Sequence, residues 1–401
     1  MDILEAKQIV IKAGHELLKA GLIVRTWGNI SCRVSDTQFV ITPSGRAYED
    51  LTPDDIVLVN IADCSYDGDV KPSSEKGIHA SCYQLRPDCN FVIHTHQANA
   101  SIVSALGCDV TSLTEEHSAI IGSDVPCATY GLPGTGKLRQ GVIDALNRSK
   151  SKAIILAHHG AVCVGSDYDD AFKVASTLED VCEKYIADRC SEVSGKAVES
   201  LGAVKDYIKG VFTSDASYKA EKEIAPIDSE RNGETITIYK DGAEVVKVNV
   251  NSGDVIGSGE KPESTDLHLA IYKKREDVNF IHHSHNEYVK TISLQGKTMK
   301  PLLDDFAQLI GPTVKCAVFG ASSAKVVKAL GNKNAVLLKD NGAICVAGTK
   351  YDAEAVEIVM DKGCKTLVGA NLYSGVKAIN AFEANLMRII YKMKYSKKAG
   401  K

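Results

Sequence analysis

Apolar residues recur along the first half of the chain in two patterns, one typical of amphipathic helices and one of short buried strands. Residues 3–20 place apolar side chains among polar ones at helical spacing and end at Gly21, which predicts an amphipathic helix. Short apolar runs predict strands at 39–42, 56–60, 91–96 and 153–157. Further helices are predicted at 75–86, 97–106, 137–148 and 169–187. Helices that alternate with strands in this way indicate a mixed α/β layer structure.

The same succession of motifs occurs twice. The paired segments are FVIHTH (91–96) with FIHHSH (280–285), LTEEHSAIIG (113–122) with LLDDFAQLIG (302–311), and HGAVCVGSDYDDA (159–171) with NGAICVAGTKYDAEA (341–355). The first two pairs share an offset of 189 residues, and the third has an offset near 182. Because the matches are collinear, we predict two copies of one fold, at 1–195 and 196–401, joined by a polar stretch over 191–225.

Composition excludes several classes of protein. The length of 401 residues suits two domains, and 44% hydrophobic with 24% charged residues is typical of a globular chain. A net charge of -4 gives the protein no overall positive charge that would attract nucleic acid. The one cationic cluster in the sequence is the tail that begins at Lys392. The acidic N-terminus does not resemble a signal peptide, and no apolar run reaches the ~20 residues of a membrane span. We therefore expect a cytoplasmic protein without nucleic-acid or membrane partners, whose twelve cysteines, which form no CxxC pair, are reduced.

The candidate chemistry centres on His94 and His96. Two residues apart on a predicted strand, they turn both imidazoles to the same face. A third imidazole is available from His158 or His159, and a carboxylate from Glu75. Three imidazoles and one displaceable carboxylate form a typical zinc site that keeps a coordination position open for substrate.

A set of short motifs, taken together and in order, resembles the class II aldolase and adducin family, and most closely its L-fuculose-phosphate aldolase branch. The motifs are TWGNIS (26–31), ITPSG (41–45), KPSSE (71–75), HTH (94–96) and HHG (158–160). The resemblance implies a three-layer α/β/α domain with a mixed, largely antiparallel central sheet, present here twice in tandem. It also implies one zinc ion per chain, in the first copy, held by Glu75, His94, His96 and His159. A phosphate cradle is implied at Gly28, Asn29, Ser44, Gly45, Ser73 and Ser74.

The resemblance further implies a lyase that cleaves a ketose 1-phosphate, similar to L-fuculose 1-phosphate, to dihydroxyacetone phosphate and a small aldehyde. Glu75 would be both a metal ligand and the catalytic base. Two enzymes of the same family are alternatives, a pentulose-phosphate 4-epimerase and a methylthioribulose-phosphate dehydratase; Glu75 and Thr42 favour the aldolase over the epimerase. A non-catalytic module like the adducin head is the alternative from another class, and the complete ligand set of the first copy argues against it. The motif LTEEHS places Glu115, Glu116 and His117 where these aldolases carry a catalytic tyrosine, so the aldehyde half of the substrate is left open.

The second copy keeps His283 and His285 but has Asn341 in place of His159. Its counterpart of KPSSE is KPEST, which puts Ser264 or Thr265 at the position of the ligand carboxylate, with Glu263 and Asp266 close by. With two strong ligands and no evident phosphate cradle, the second site is predicted to be degenerate. The family resemblance implies a homo-oligomer in which the two copies pack with pseudo-symmetry.

Overall fold

The computed structural model describes residues 1–395, and the tail residues Lys397, Lys398 and Lys401 lie outside this part. The chain divides into two compact units. The first unit comprises residues 1–201 and 375–377, and the second comprises the rest of the chain. Within residues 1–395, every helix is too short or too polar to cross a lipid bilayer. All twelve cysteines fall in this part of the chain and are free thiols, as expected.

The first unit is built around a mixed sheet with strand order β3-β2-β1-β4-β7-β6-β5. Its strands are β1 (Asn29–Arg33), β2 (Gln38–Ile41), β3 (Val57–Asn60), β4 (Phe91–Thr95), β5 (Cys127–Ala128), β6 (Ala153–Leu156) and β7 (Gly160–Gly165). Its helices are α1 (Ile3–Lys19), α2 (Lys76–Leu85), α3 (Ala98–Leu106), α4 (Glu115–Ile121), α5 (Gly136–Arg148) and α6 (Tyr168–Ser194), with 3₁₀ turns at Tyr48–Asp50 and Pro53–Asp55. Neighbouring strands are antiparallel except β5 and β6, which are parallel.

Alternation along the strands assigns side chains to the two faces of this sheet. Helices α2 and α5 pack together on one face, where Ile78 and Leu138 join a core with Val92. Helices α1, α3 and α6 contact the sheet on the other face, where Phe91 meets the ring of Tyr168. Since His94 lies two residues after Val92, its side chain points toward α2.

The second unit repeats this architecture with strand order β11-β10-β9-β8-β12-β15-β14-β13. Its strands are β8 (Asp228–Asn232), β9 (Thr235–Lys240), β10 (Ala243–Asn249), β11 (Val255–Ile256), β12 (Phe280–Ser284), β13 (Cys316–Ala317), β14 (Ala335–Leu338) and β15 (Ala343–Ala347). Its helices, after α7 (Leu201–Thr213), are α8 (Thr265–Lys274), α9 (Glu287–Ser293), α10 (Asp304–Leu309), α11 (Ser323–Leu330), α12 (Lys350–Ala370) and α13 (Ala381–Tyr395), with a 3₁₀ turn at Phe319–Ala321. The register is also repeated: Ser31 pairs with Val92 in the first sheet, and Ser229 pairs with Ile281 in the second.

The predicted mixed α/β fold is confirmed, with two sheets that are mostly antiparallel. The predicted helices and strands of the first copy occur with ends shifted by a few residues, apart from α6, which continues to Ser194. Strands β1 and β7 were not among the predicted elements, and the polar stretch over 191–225 contains helix α7. Strand β8 is the structural counterpart of β1, although its sequence DSERN shares little with NISCR.

The second unit contains an ionic cluster where the first unit is apolar. His282 lies on β12 at the position of Ile93 and faces α12. Its Nδ1 is 2.8 Å from Asp228 Oδ1 and its Nε2 is 3.1 Å from Glu357 Oε1. Burial by itself lowers the pKa of His282, but the hydrogen bonds to Asp228 and Glu357 outweigh burial and raise the pKa to about 10.

This cluster predicts a pH dependence of stability. Since the folded-state pKa of His282 exceeds the ~6.5 of an unfolded histidine, the cluster stabilises fully below about pH 6.5. That stabilisation is lost as the pH rises toward about 10. We expect the difference in unfolding free energy between wild type and His282→Gln, measured by urea denaturation, to shrink over this range. His285→Gln is the control. Because burial lowers the pKa of His285, the difference in unfolding free energy between wild type and this variant should stay constant over the same pH range. A constant difference for His282→Gln would contradict the assignment.

Candidate metal centre

Four side chains from three elements converge beside the first sheet. Strand β4 carries His94 and ends just before His96, the turn between β6 and β7 carries His159, and Glu75 is the N-cap of α2. The Nε2 atom of His94 is 3.0 Å from that of His96 and 3.2 Å from that of His159. Glu75 Oε2 is 3.2 Å from His94 Nε2, and Glu75 Oε1 is 3.0 Å from His159 Nε2. The three imidazoles can therefore share one metal ion.

The turn after β6 explains why His159, and not His158, joins this group. His158 adopts a left-handed backbone with φ of 60°, and its ring meets Tyr130 edge-on at 5.3 Å. Gly160 follows, where a Cβ atom would lie 2.2 Å from the carbonyl oxygen of Thr95. Only glycine permits this close approach, which brings His159 against β4.

Two features of the buried site fit a bound cation. His94 Nδ1 donates to the carbonyl of Ala161 at 2.8 Å, so the neutral ring presents a bare Nε2 lone pair to its neighbours. That lone pair faces a carboxylate oxygen of Glu75, and Oε1 of Glu75 is buried without a hydrogen-bond donor. Facing lone pairs repel each other unless a cation lies between them. Three imidazole nitrogens and one carboxylate are the ligand types that zinc prefers.

The charge of Glu75 follows from the same contacts. Burial opposes ionisation of the carboxyl, but positive charge at His94 and His159, carried by the imidazoles or by a cation between them, outweighs burial and holds the pKa of Glu75 well below the ordinary range. The Nδ2 group of Asn29 donates to Glu75 Oε2 at 3.0 Å. Glu75 is therefore an ionised carboxylate that can act as ligand or as base.

The turns of the predicted phosphate cradle lie side by side. Ser44 N donates to the carbonyl of Lys71, and Ser73 N donates to the carbonyl of Thr42, so the ITPSG and KPSSE turns are tied together. The hydroxyl of Ser73 accepts from Glu75 N at 3.2 Å, which links the predicted cradle to the carboxylate beside the imidazoles.

The remaining cradle residues are placed around the same turns. Gly45 and Gly28 have left-handed φ values, and a Cβ atom at Gly28 would lie 2.6 Å from the carbonyl oxygen of His94. Ser74 is exposed and lies against Gly134, which precedes the first turn of α5. The side chain of Asn29 is held by its contacts with Glu75 and His79. Phosphate binding by this set remains a prediction.

Three residues behind the site are not among those predicted from the sequence, namely Ser31, His79 and Tyr83, which are linked by hydrogen bonds to Asn29. Their signal is the spacing of two on a strand, Asn29 and Ser31, and of four on a helix, Glu75, His79 and Tyr83.

The acidic motif that replaces the expected tyrosine starts a helix. Glu115 and Glu116 are exposed in the first turn of α4, which Thr114 caps by accepting from His117 N at 3.2 Å. Two carboxylates in the first turn interact favourably with the positive end of the helix dipole. This interaction explains the helix start without a catalytic role.

The second unit arranges the equivalent positions differently. Ser264 is the N-cap of α8, as Glu75 is of α2, while the side chains of Glu263 and Asp266 are 55% and 76% exposed. His283 Nε2 lies 2.7 Å from the carbonyl oxygen of Asn341, an acceptor, so this nitrogen carries the proton. A protonated Nε2 is not available as a ligand, which agrees with the predicted degenerate site.

Comparison with known proteins places these observations in a family. The model of the class II aldolase and adducin N-terminal domain matches residues 8–186 and 236–368. An L-fuculose phosphate aldolase from Escherichia coli O6:H1 is 35% identical over 181 residues, which are 45% of this chain and 82% of that protein. A 5-methylthioribulose-1-phosphate/5-deoxyribulose-1-phosphate aldolase from Escherichia coli O45:K1 is 33% identical over 187 residues, 46% of this chain and 85% of that protein.

The fold of an L-fuculose 1-phosphate aldolase structure aligns with a TM-score of 0.44 and 28% identity, over 49% of this chain and 90% of that one. Each such relative spans about half of this chain, whereas the family model matches a segment in each unit. Together the two matched segments cover more than half of the residues, and the chain therefore belongs to the class II aldolase and adducin family.

Proposed function

We propose that the chain is a zinc-dependent aldolase that cleaves a ketose 1-phosphate to dihydroxyacetone phosphate and a small aldehyde. The observation that carries the proposal is the ionised carboxylate of Glu75 facing the imidazoles of His94 and His159, beside turns rich in serine and glycine. Relatives named as aldolases of fuculose phosphate and of 5-deoxyribulose 1-phosphate support this reaction class.

The residues divide the chemistry between them. A zinc ion held by Glu75, His94, His96 and His159 would supply a Lewis acid that stabilises the negative charge formed when the carbon–carbon bond breaks. The imidazole of His94 keeps its proton on Nδ1, bonded to Ala161, and so remains a neutral ligand.

Glu75 has a second role in the proposal. Its carboxylate would transfer the proton to and from the carbon of the three-carbon fragment at which the carbon–carbon bond breaks. The hydroxyls of Ser44, Ser73 and Ser74 and the backbone N–H groups of the glycines Gly28 and Gly45 would orient the phosphate. A small phosphorylated sugar is thus the proposed partner, and assembly into a homo-oligomer remains a prediction.

The first test combines metal content with product release. We expect about one zinc per chain by mass spectrometry, and release of dihydroxyacetone phosphate from L-fuculose 1-phosphate, 5-deoxyribulose 1-phosphate or 5-methylthioribulose 1-phosphate. Zinc without release, but with epimerisation or dehydration, would instead assign the chain to the epimerase or dehydratase branch. A chain without metal would favour the adducin-like module.

A further inference from the structure

A continuous chain of hydrogen bonds runs behind the metal ligands of the first unit. Tyr83 O–H lies 2.7 Å from Ser31 Oγ, which lies 2.6 Å from His79 Nδ1. His79 Nε2 bonds to Asn29 Oδ1, and Asn29 Nδ2 lies 3.0 Å from Glu75 Oε2. All five side chains are buried, and His79 and Ser31 are fully enclosed.

The carboxylate of Glu75 determines which group donates and which accepts in every hydrogen bond of this series. Because Glu75 can only accept, the amide of Asn29 must turn its NH₂ end toward it. Asn29 Oδ1 then accepts from His79 Nε2–H, so His79 Nδ1 is bare and accepts from the hydroxyl of Ser31. The hydroxyl of Ser31 in turn accepts from Tyr83. Donors aligned in this way reinforce one another in a buried, low-dielectric setting.

We propose that His79 is a positioning residue, which acts through Asn29 to hold the carboxylate of Glu75 in its metal-binding and proton-transferring orientation. An asparagine amide has two ends of nearly equal shape, one a donor and one an acceptor. The carboxylate requires the NH₂ end of the amide, and the Nε2–H of His79 secures this orientation by donating to the oxygen end. Without that donor the buried Oδ1 of Asn29 loses its partner, and the amide is no longer anchored against Glu75. The inference deepens the proposed function and rests on it for the proton-transfer role.

The second unit contains the same serine, histidine and tyrosine but lacks the asparagine and the carboxylate that end the hydrogen-bond chain in the first unit. Ser229 Oγ lies 2.7 Å from His268 Nδ1 and 2.9 Å from Tyr272 O–H, as in the first unit. The positions of Asn29 and Glu75 are taken by Ile227 and Ser264, and among the described residues His268 Nε2 has no hydrogen-bond partner. The serine, histidine and tyrosine therefore belong to the shared fold, while the link to a carboxylate is confined to the first unit.

This duplication provides a matched control within one molecule. His79→Phe and His268→Phe each remove a fully buried imidazole bonded to a serine hydroxyl, so their effects on folding are comparable. Zinc affinity, measured by competition with a chelator, should fall about 10- to 100-fold in His79→Phe and stay unchanged in His268→Phe. The kcat for cleavage should fall by a similar factor in His79→Phe, with KM for the sugar phosphate unchanged. Equal zinc affinity in the two variants overturns the proposal.

A double-mutant cycle tests whether His79 acts through Asn29. Asn29→Leu alone should weaken zinc binding, and adding His79→Phe to it should cost nothing more, because the route to Glu75 is already cut. Additive losses would show that His79 acts by another route and would overturn the inference. If His79→Phe does not fold, Ser31→Ala and Ser229→Ala are the second pair. Ser31→Ala should weaken zinc binding several-fold and Ser229→Ala should not, and no difference between them would count against the proposal.

The readouts separate this inference from the proposed reaction. If wild type binds zinc but releases no dihydroxyacetone phosphate, the aldolase proposal fails, while a selective loss of zinc affinity in His79→Phe still supports the positioning role. If wild type is an aldolase and His79→Phe keeps both its zinc affinity and its kcat, the positioning role fails and the aldolase proposal stands.

Discussion

Glu75→Gln is expected to lower the rate of carbon–carbon cleavage by about 10²- to 10⁴-fold, the range that a positioned general base contributes. Glutamine keeps the size of the side chain and an oxygen that can accept from Asn29 Nδ2, so the local packing is preserved. It cannot take up the proton, and its amide group has no negative charge to offer the metal. The loss should therefore appear in kcat, measured by release of dihydroxyacetone phosphate.

A variant in the second unit controls for the chemical change. Glu263→Gln makes the same substitution one residue before Ser264, where the carboxylate is exposed and paired with Lys222 at 2.8 Å. Exposed ion pairs contribute little to stability, so this variant should match wild type in kcat, zinc content and thermal unfolding. Zinc should remain detectable in Glu75→Gln, because the three imidazoles are untouched. Undiminished cleavage by Glu75→Gln would rule out Glu75 as the base.

The sequence allows prediction of those parts of the site that depend on local periodicity. A strand turns residues two apart to one face, which was enough to pair His94 with His96. The repeat of FVIHTH as FIHHSH likewise indicates two copies of the fold from the sequence alone. The choice of His159 over His158 depended on the family resemblance, because the backbone reversal at His158 is a property of the folded turn.

The hydrogen-bond chain behind Glu75 could not be predicted in the same way. Asn29 and Ser31 lie on β1, and His79 and Tyr83 lie on α2, about fifty residues away in sequence. Their spacings of two and four become informative only when that strand and that helix are known to face each other. Strand β1 itself was missed, because NISCR mixes polar and apolar residues that are all buried or nearly so.

Substitution of the equivalent histidines in the two units should weaken metal binding in the first unit and leave it unchanged in the second. His94→Ala removes a proposed zinc ligand whose Nε2 faces His96, His159 and Glu75. If a protein zinc site binds with about 10–16 kcal/mol shared over four ligands, the loss of one costs roughly 3 kcal/mol, or about 100-fold in affinity. Because the proposed reaction depends on the bound zinc, cleavage should fall at least as far as zinc affinity.

His283→Ala should leave zinc content and kcat at wild-type values. His283 already uses its Nε2–H on the carbonyl of Asn341, and the carboxylate position beside it is occupied by Ser264. The side chain is buried, so the variant should lose about 1–3 kcal/mol of stability, seen as a lower urea midpoint, and activity must be compared per folded molecule. Two zinc ions per wild-type chain, or equal losses of activity in the two variants, would show that the second site is functional. One zinc that disappears only with His94→Ala would locate the metal in the first unit and leave the second unit without a metal role.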